Sequence, residues 1–156
     1  MTNDPILLPI TATELPAALA LLPQLADFEV PPRRDARDLY TDDGKLLEAV
    51  VAGNAPNSYA EVAVLDQQVL GVILVTMRPE LMSHAPSAHL EAIVVSPEAR
   101  GRGLGRKLLQ RAQESARARG AASLSLHVFA NNHRARALYD ADGFDSELIR
   151  AIKWLD

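Results

Sequence analysis

The sequence predicts a mixed α/β (α+β) fold, and three features predict it. Strand-like apolar segments gather in the middle of the chain, at residues 58–65, 69–76 and 88–95. An amphipathic run follows at 104–119, where Leu104, Leu108, Ala112 and Ala116 recur every four positions. Strand and helix patterns then alternate to the end. With 156 residues, 48% of them hydrophobic, the chain is expected to form one domain over residues 1–156.

Taken in order, residues 6–10 read as a short strand interrupted by Pro9. Thr11 or Thr13 caps a helix through Leu15, Leu19 and Leu22, and Pro23 breaks it. Residues 27–35, with Pro31 and Pro32, form a loop. A second helix is expected over 35–51, with Leu39, Leu46, Leu47 and Val50 inward and Gly53 beyond its end. Residues 58–65 and 69–76 form a hairpin around Asp66, Gln67 and Gln68. A loop at 78–87 leads to the strand 88–95, which stops at Ser96-Pro97. The helix 104–119 closes at Gly120, a strand follows at 123–129, and a short helix spans 131–140. Gly143 stops that helix, and residues 144–154 read as a last strand, giving the order β-α-α-β-β-β-α-β-α-β.

Composition excludes several classes. A net charge of −4 argues against nucleic acid as the main partner, since phosphate binding needs a dense basic face. With no cysteine there is no disulfide framework, thiolate metal site or cysteine acyl-enzyme. His84, His89, His127 and His133 lack metal-ligand spacing, so no metal is expected. Residues 1–10 carry Asp4 and Pro5 without a basic, apolar leader pattern, and no apolar run approaches a bilayer span. The expectation is a cytoplasmic protein with no membrane partner.

The chemistry concentrates at Arg100-Gly101-Arg102-Gly103-Leu104-Gly105, between a buried strand and an amphipathic helix. Three alternating glycines let several backbone N–H groups converge on one ligand, and the helix aims its positive end at the same point. Arg100, Arg102, Arg106 and Lys107 add charge suited to a pyrophosphate. A Walker A loop would need Gly-Lys followed by Ser or Thr, which is absent. A Rossmann loop would need its third glycine three residues after the second and an acid about 20 residues on; Gly105 comes two after Gly103, and 121–129 hold no acid.

The spacing Arg-x-x-Gly-x-Gly at Arg100, Gly103 and Gly105 resembles the coenzyme A loop of the GNAT superfamily of N-acetyltransferases. The strand Leu90 to Pro97 is similar to that family's central strand. The run Asn132 to Tyr139, followed by Gly143-Phe144, is similar to its second cofactor motif. The resemblance implies a central mixed, mostly antiparallel sheet of six to seven strands with about four helices. It implies acetyl-CoA as acetyl donor, a small-molecule or peptide amine as acceptor, and a fold in which homodimers are common.

The resemblance further implies that Ile93, Val94 and Val95 offer strand amides to the pantetheine arm. Arg100, Gly101, Arg102, Gly103, Leu104, Gly105 and Arg106 would hold the pyrophosphate. Asn132 and Tyr139 would touch the cofactor, about 10.5 Å apart along one helix face. Tyr139 reads as the acid for the departing thiolate. Glu91 interrupts an apolar strand and reads as the base, with His89, His127 or water as alternatives. A non-catalytic acyl-CoA-binding regulatory module is the competing function.

Overall fold

The computed structural model describes residues 4–156; residues 1–3, part of the segment read for a leader, lie outside the described residues. One sheet organises the chain, in the order β1-β2-β3-β4-β5. Its strands are β1 (Ile6–Pro9), β2 (Ser58–Leu65), β3 (Gln68–Pro79), β4 (Pro86–Val95) and β5 (Leu124–Leu126). The first four are antiparallel neighbours, and β5 runs parallel to β4. A parallel neighbour requires a crossover. That crossover is the helix α3 (Leu104–Ala118), the third after α1 (Leu15–Leu21) and α2 (Thr41–Val51) and before α4 (His133–Ala141).

Each face of the sheet buries its own core. On one face α1 and α2 pack over Val62, Val72, Leu74, Ala92 and Val94, sealed by Ala18, Leu22 and Leu47. On the other, α3 packs over Ile73, Val75 and Leu90 through Leu104, Leu108, Leu109 and Ala112. The period-four stripe of α3 is what lets it lie flat on the sheet. Buried Glu61 on β2 is held by Arg111 of α3, whose Nε lies 2.8 Å from Oε2 and whose Nη2 lies 2.9 Å from Oε1. A carboxylate so withdrawn from water needs such a partner.

Gly71 sets how closely α3 approaches. A Cβ there would stand 2.6 Å from Leu108 Cδ1 and 3.1 Å from the Val94 carbonyl. The missing side chain therefore lets the first turns of α3 settle on β3 and β4.

The mixed fold is as expected, with differences at four places. The helix expected at 35–51 is a 3-10 turn (Ala36–Leu39) followed by α2, because Asp35 caps the turn through Arg37 N–H at 2.9 Å. The loop expected at 78–87 is shorter, since β3 and β4 pair out to Pro79 and Pro86. The strand expected at 123–129 has only three ladder residues. The last strand, expected at 144–154, does not form, so the described sheet has five strands and not six to seven. Residues 145–156 run exposed, and Leu148, Ile149 and Leu155 are 62%, 92% and 89% accessible. No described helix is long and apolar enough to cross a membrane.

Gly71→Ala should destabilise the protein by about 1–3 kcal/mol, the usual range for overpacking. Urea denaturation followed by far-UV circular dichroism measures it; an unchanged midpoint would show that α3 can retreat without loss.

Candidate active site

The site is made by a sheet that comes apart. β4 and β5 pair only at Ala88↔Leu124, His89↔Ser125 and Leu90↔Leu126. Beyond them the strands diverge, and backbone groups of residues 91–95 on that edge have no strand partner. A β-bulge marks the point of divergence. Leu74 faces Ala92 across the ladder and Val75 faces Leu90, leaving Glu91 without a partner residue. The extra residue flips the alternation of the strand. Ala88 and Leu90 precede it on the α3 face, and Ile93 and Val95 return to that face after it.

The gap is a cavity of about 420 Å³. Its walls include Glu91, Ile93, Val94 and Val95 of β4, Arg100 to Arg106 of the loop except Arg102, and Asn132 and Tyr139 of α4. Residues widely separated in the chain thus border one space. Arg102 is exposed and does not border it. At about 3.3 Å per strand residue, Glu91 lies roughly 13 Å along β4 from Val95, which adjoins the loop.

At the loop, Gly101 and Gly103 hold φ of +79° and +80°, a region where a Cβ is strained. A Cβ at either position would meet open space, so it is the backbone angle that requires glycine. The first helical bond runs from Lys107 N–H to the Gly103 carbonyl at 3.1 Å. The N–H groups of Leu104, Gly105 and Arg106 precede the ladder and are free to bind an anion.

Arg100 is placed differently from the sequence reading. Its guanidinium holds Asp27, with Nη1 2.8 Å from Oδ2, and also reaches Gln24 Oε1 at 3.2 Å. Arg134 approaches the same Asp27 carboxylate at 3.6 Å and its carbonyl at 3.3 Å. Hydrogen bonding to Arg100 is the main cause holding the Asp27 carboxyl below its usual range. Asn131 Nδ2 donates to the Glu29 carbonyl at 2.6 Å, and Phe28 and Phe129 pack with ring centroids 5.6 Å apart. Residues 27–29 are thus strapped to Arg100 and to residues 129–134 beside the cavity, which Phe28 lines.

Tyr139 is 9% accessible and packs edge-on against Phe144 at 5.9 Å. Burial pushes its phenol up to about 12, so it stays protonated at neutral pH. No described residue hydrogen-bonds its hydroxyl, yet the hydroxyl is not sealed from water, so it opens to the cavity. Asn132 caps α4 by accepting from Ala135 N–H at 3.4 Å, and its amide remains on the cavity wall. Glu91 has Arg78 at 4.0 Å.

The two histidines separate. His89 is buried, shares a 2.8 Å hydrogen bond with Ser125, and is pushed down to about 4, chiefly by burial and then by Arg78 and His127. A group so weakly basic holds no proton at neutral pH. His127 is exposed on the cavity wall, its ring 4.7 Å from His89. The sequence reading passed over Asp43, which also lines the cavity. In the helix expected at 35–51 it falls in mid-helix and carries no signal; only the observed start of α2 at Thr41 puts it in a first turn.

Residues 22–144 match the model of the acetyltransferase (GNAT) family, and the chain belongs to that family. A mycothiol acetyltransferase of Beutenbergia cavernae is 43% identical over 67 residues, which are 43% of this chain and 23% of that protein. A [ribosomal protein bS18]-alanine N-acetyltransferase of Escherichia coli K12 is 43% identical over 63 residues, 40% of this chain and 43% of the relative. The match thus spans less than half the length of either curated relative. Among solved structures, the aminoglycoside N-acetyltransferase AAC(6')-Iy in complex with CoA superposes with a TM-score of 0.75. That likeness covers 100% of this chain and 97% of the other at 21% identity, and it establishes the fold.

The strap yields a prediction. Asp27 competes with any anion for Arg100 and Arg134, so Asp27→Asn should bind inorganic pyrophosphate several-fold more tightly, with a steeper salt dependence. Calorimetric titration at two ionic strengths measures this; equal affinities would mean that neither arginine reaches the ligand.

Proposed function

We propose that the chain transfers the acetyl group of acetyl-CoA directly to a primary amine of a small molecule or peptide. The observation that carries this reading is the single cavity joining the anion-binding loop at α3 to the carboxylate of Glu91, with the Tyr139 hydroxyl on its wall. The free N–H groups of residues 104–106, with Arg106, would hold the pyrophosphate. The unpaired edge of β4 from Ile93 to Val95 would bind the extended pantetheine arm, as one strand binds another. Family membership and the names of the relatives, all acetyltransferases, support the same reading.

Acetyl-CoA supplies an activated thioester; the chain supplies position and charge. Backbone N–H groups at the β4 edge polarise the carbonyl, acting most strongly where negative charge develops. Glu91, carried into the cavity by the bulge, draws the positive charge of an ammonium to the acceptor end. The Tyr139 phenol faces the departing sulfur. A thiol has a pKa of about 8.5, so complete proton transfer from a phenol near 12 runs about 5 kcal/mol uphill. Tyr139 therefore acts as a hydrogen-bond donor to the sulfur, and the proton that stays there comes from the attacking nitrogen. With no cysteine in the chain, direct attack replaces a cysteine acyl-enzyme route.

A cytoplasmic setting is part of this reading, and a chain without cysteine is compatible with a reducing compartment. The exposed Leu148, Ile149 and Leu155 of the C-terminal arm support the homodimer reading.

Mixing the protein with acetyl-CoA and a panel of polyamines, aminoglycosides, amino acids and peptide N-termini should release free thiol for at least one class. Binding of acetyl-CoA without thiol release from any amine would favour a regulatory module. Tyr139→Phe should lower turnover about 10²-fold while leaving CoA affinity nearly unchanged. Equal turnover, with chemistry shown to be rate-limiting, would return Tyr139 to a packing role.

A further inference from the structure

Asp43 has no role in the mechanism so far. It stands in the first turn of α2 and lines the cavity together with Glu91 of β4. The two carboxylates differ in their surroundings. Glu91 has a cation, Arg78, at 4.0 Å. Asp43 is half-buried and forms no ion pair with any described residue; every group that acts on it disfavours its charge. A carboxylate withdrawn from water without a partner is costly to ionise, and a cation arriving from solution relieves that cost. The cavity is open to such a cation, and acetyl transfer requires one nitrogen to lose a proton there.

We propose that Asp43 is the proton acceptor for the incoming amine and that, paired with Glu91, it restricts acceptors to amines that arrive as ammonium ions. This rests on the acetyl-transfer reading and names the substrate class of that site: strongly basic primary alkylamines. An N–H bond of the ammonium breaks, its electron pair stays on nitrogen, and the proton passes to an Asp43 carboxylate oxygen. The neutral amine then attacks the thioester carbon, and the C–S bond breaks. A second proton from nitrogen leaves with the sulfur, and Asp43 returns its own to solvent through the cavity mouth. Glu91, balanced by Arg78, keeps its charge and holds the ammonium in place.

The charged groups around Asp43 fix the direction of its pH dependence. Burial, then Glu91, then Asp42 in the same turn push its carboxyl up to about 7. Arg78 is engaged with Glu91, and Arg37, in the preceding 3-10 turn, is bound to Asp35 at 2.9 Å. His89 is neutral in this range. Catalysis needs the ionised carboxylate, so kcat/KM should rise with pH through about 7 and then level off. Stability has the opposite sign. The neutral form is favoured in the folded state, so stability falls as pH rises through about 7, and Asp43→Asn should melt higher than wild type at pH 8 but not at pH 4.

The test compares wild type, Asp43→Asn and Glu91→Gln. It measures kcat/KM from pH 5.5 to 9 with one strongly and one weakly basic amine, and calorimetric binding of a primary alkylammonium to the CoA-loaded protein. Asp43→Asn should lose about 10²-fold in kcat/KM for the strong base at pH 8 and lose the limb near pH 7. For the weak base it should lose less than threefold, and its CoA affinity should match wild type. Glu91→Gln should keep the limb, moved to lower pH because one of the charges that raises Asp43 is gone, and should weaken alkylammonium binding. A limb near pH 7 that persists in Asp43→Asn, or equal losses for both amines, overturns the proposal. The parent reading fails separately: wild type that binds the alkylammonium in an Asp43-dependent way but never releases thiol would refute acetyl transfer while upholding Asp43 as the ammonium's partner.

Discussion

The separation of β4 from β5 after Leu90 and Leu126 is the constraint on which the rest of the structure depends. A sheet that stayed paired would bury the backbone of residues 91–95 in a ladder and leave no cavity. Two features force the separation. The bulge at Glu91 bends β4 and reverses its faces, while the strand pairs with β3 on its other edge as far as Val95. The crossover through α3 returns the chain to β5 for only three ladder residues. Together they leave strand amides available and set Glu91 on the wall of the opening, where α3's N-terminus also lies. The closeness of α3 at Gly71 maintains that last placement.

Charge is distributed along the cavity in a way that net charge conceals. The chain is acidic overall, yet its loop end carries Arg100 and Arg106, and its other end carries Asp43 and Glu91. Such a distribution would draw an anion and a cation to opposite ends of one space, as the proposed donor and acceptor require. The strap adds a link between the two regions. Asp27 occupies Arg100 and Arg134, so an anion at the loop would compete with the contact that holds residues 27–29 beside the cavity.

Much of this was legible in the sequence, because the features concerned are local. The Gly101-Arg102-Gly103 turn, the four-residue repeat of α3 and the apolar run of β4 each express a backbone angle or a periodicity. Glu91 was visible as a polar residue in an apolar strand, though the bulge that explains it depends on register with β3. What escaped the sequence is non-local. The partner of Arg100 lies 73 residues away at Asp27, and nothing near either residue announces the pairing. Asp43 falls mid-helix in the span expected at 35–51, and only the packing of α2 brings it to the cavity. The strand expected at 144–154 has suitable β-forming residues but no neighbouring strand pairs with it; Arg33 holds Asp156 at 2.7 Å and Arg34 lies over Trp154. Strand propensity needs a partner before it becomes structure.

In the proposed function the glycine loop and α3's free N–H groups bind the diphosphate of the donor and so deliver its thioester to the divided sheet. Calorimetric affinity for CoA, compared with that for pantetheine, which has the same thiol arm without the diphosphate and its adenosine 3′-phosphate, tests this most directly. CoA should bind at least about 10²-fold more tightly, a difference near 3 kcal/mol, and the advantage should shrink at high salt. Equal affinities for the two ligands at low salt would contradict it.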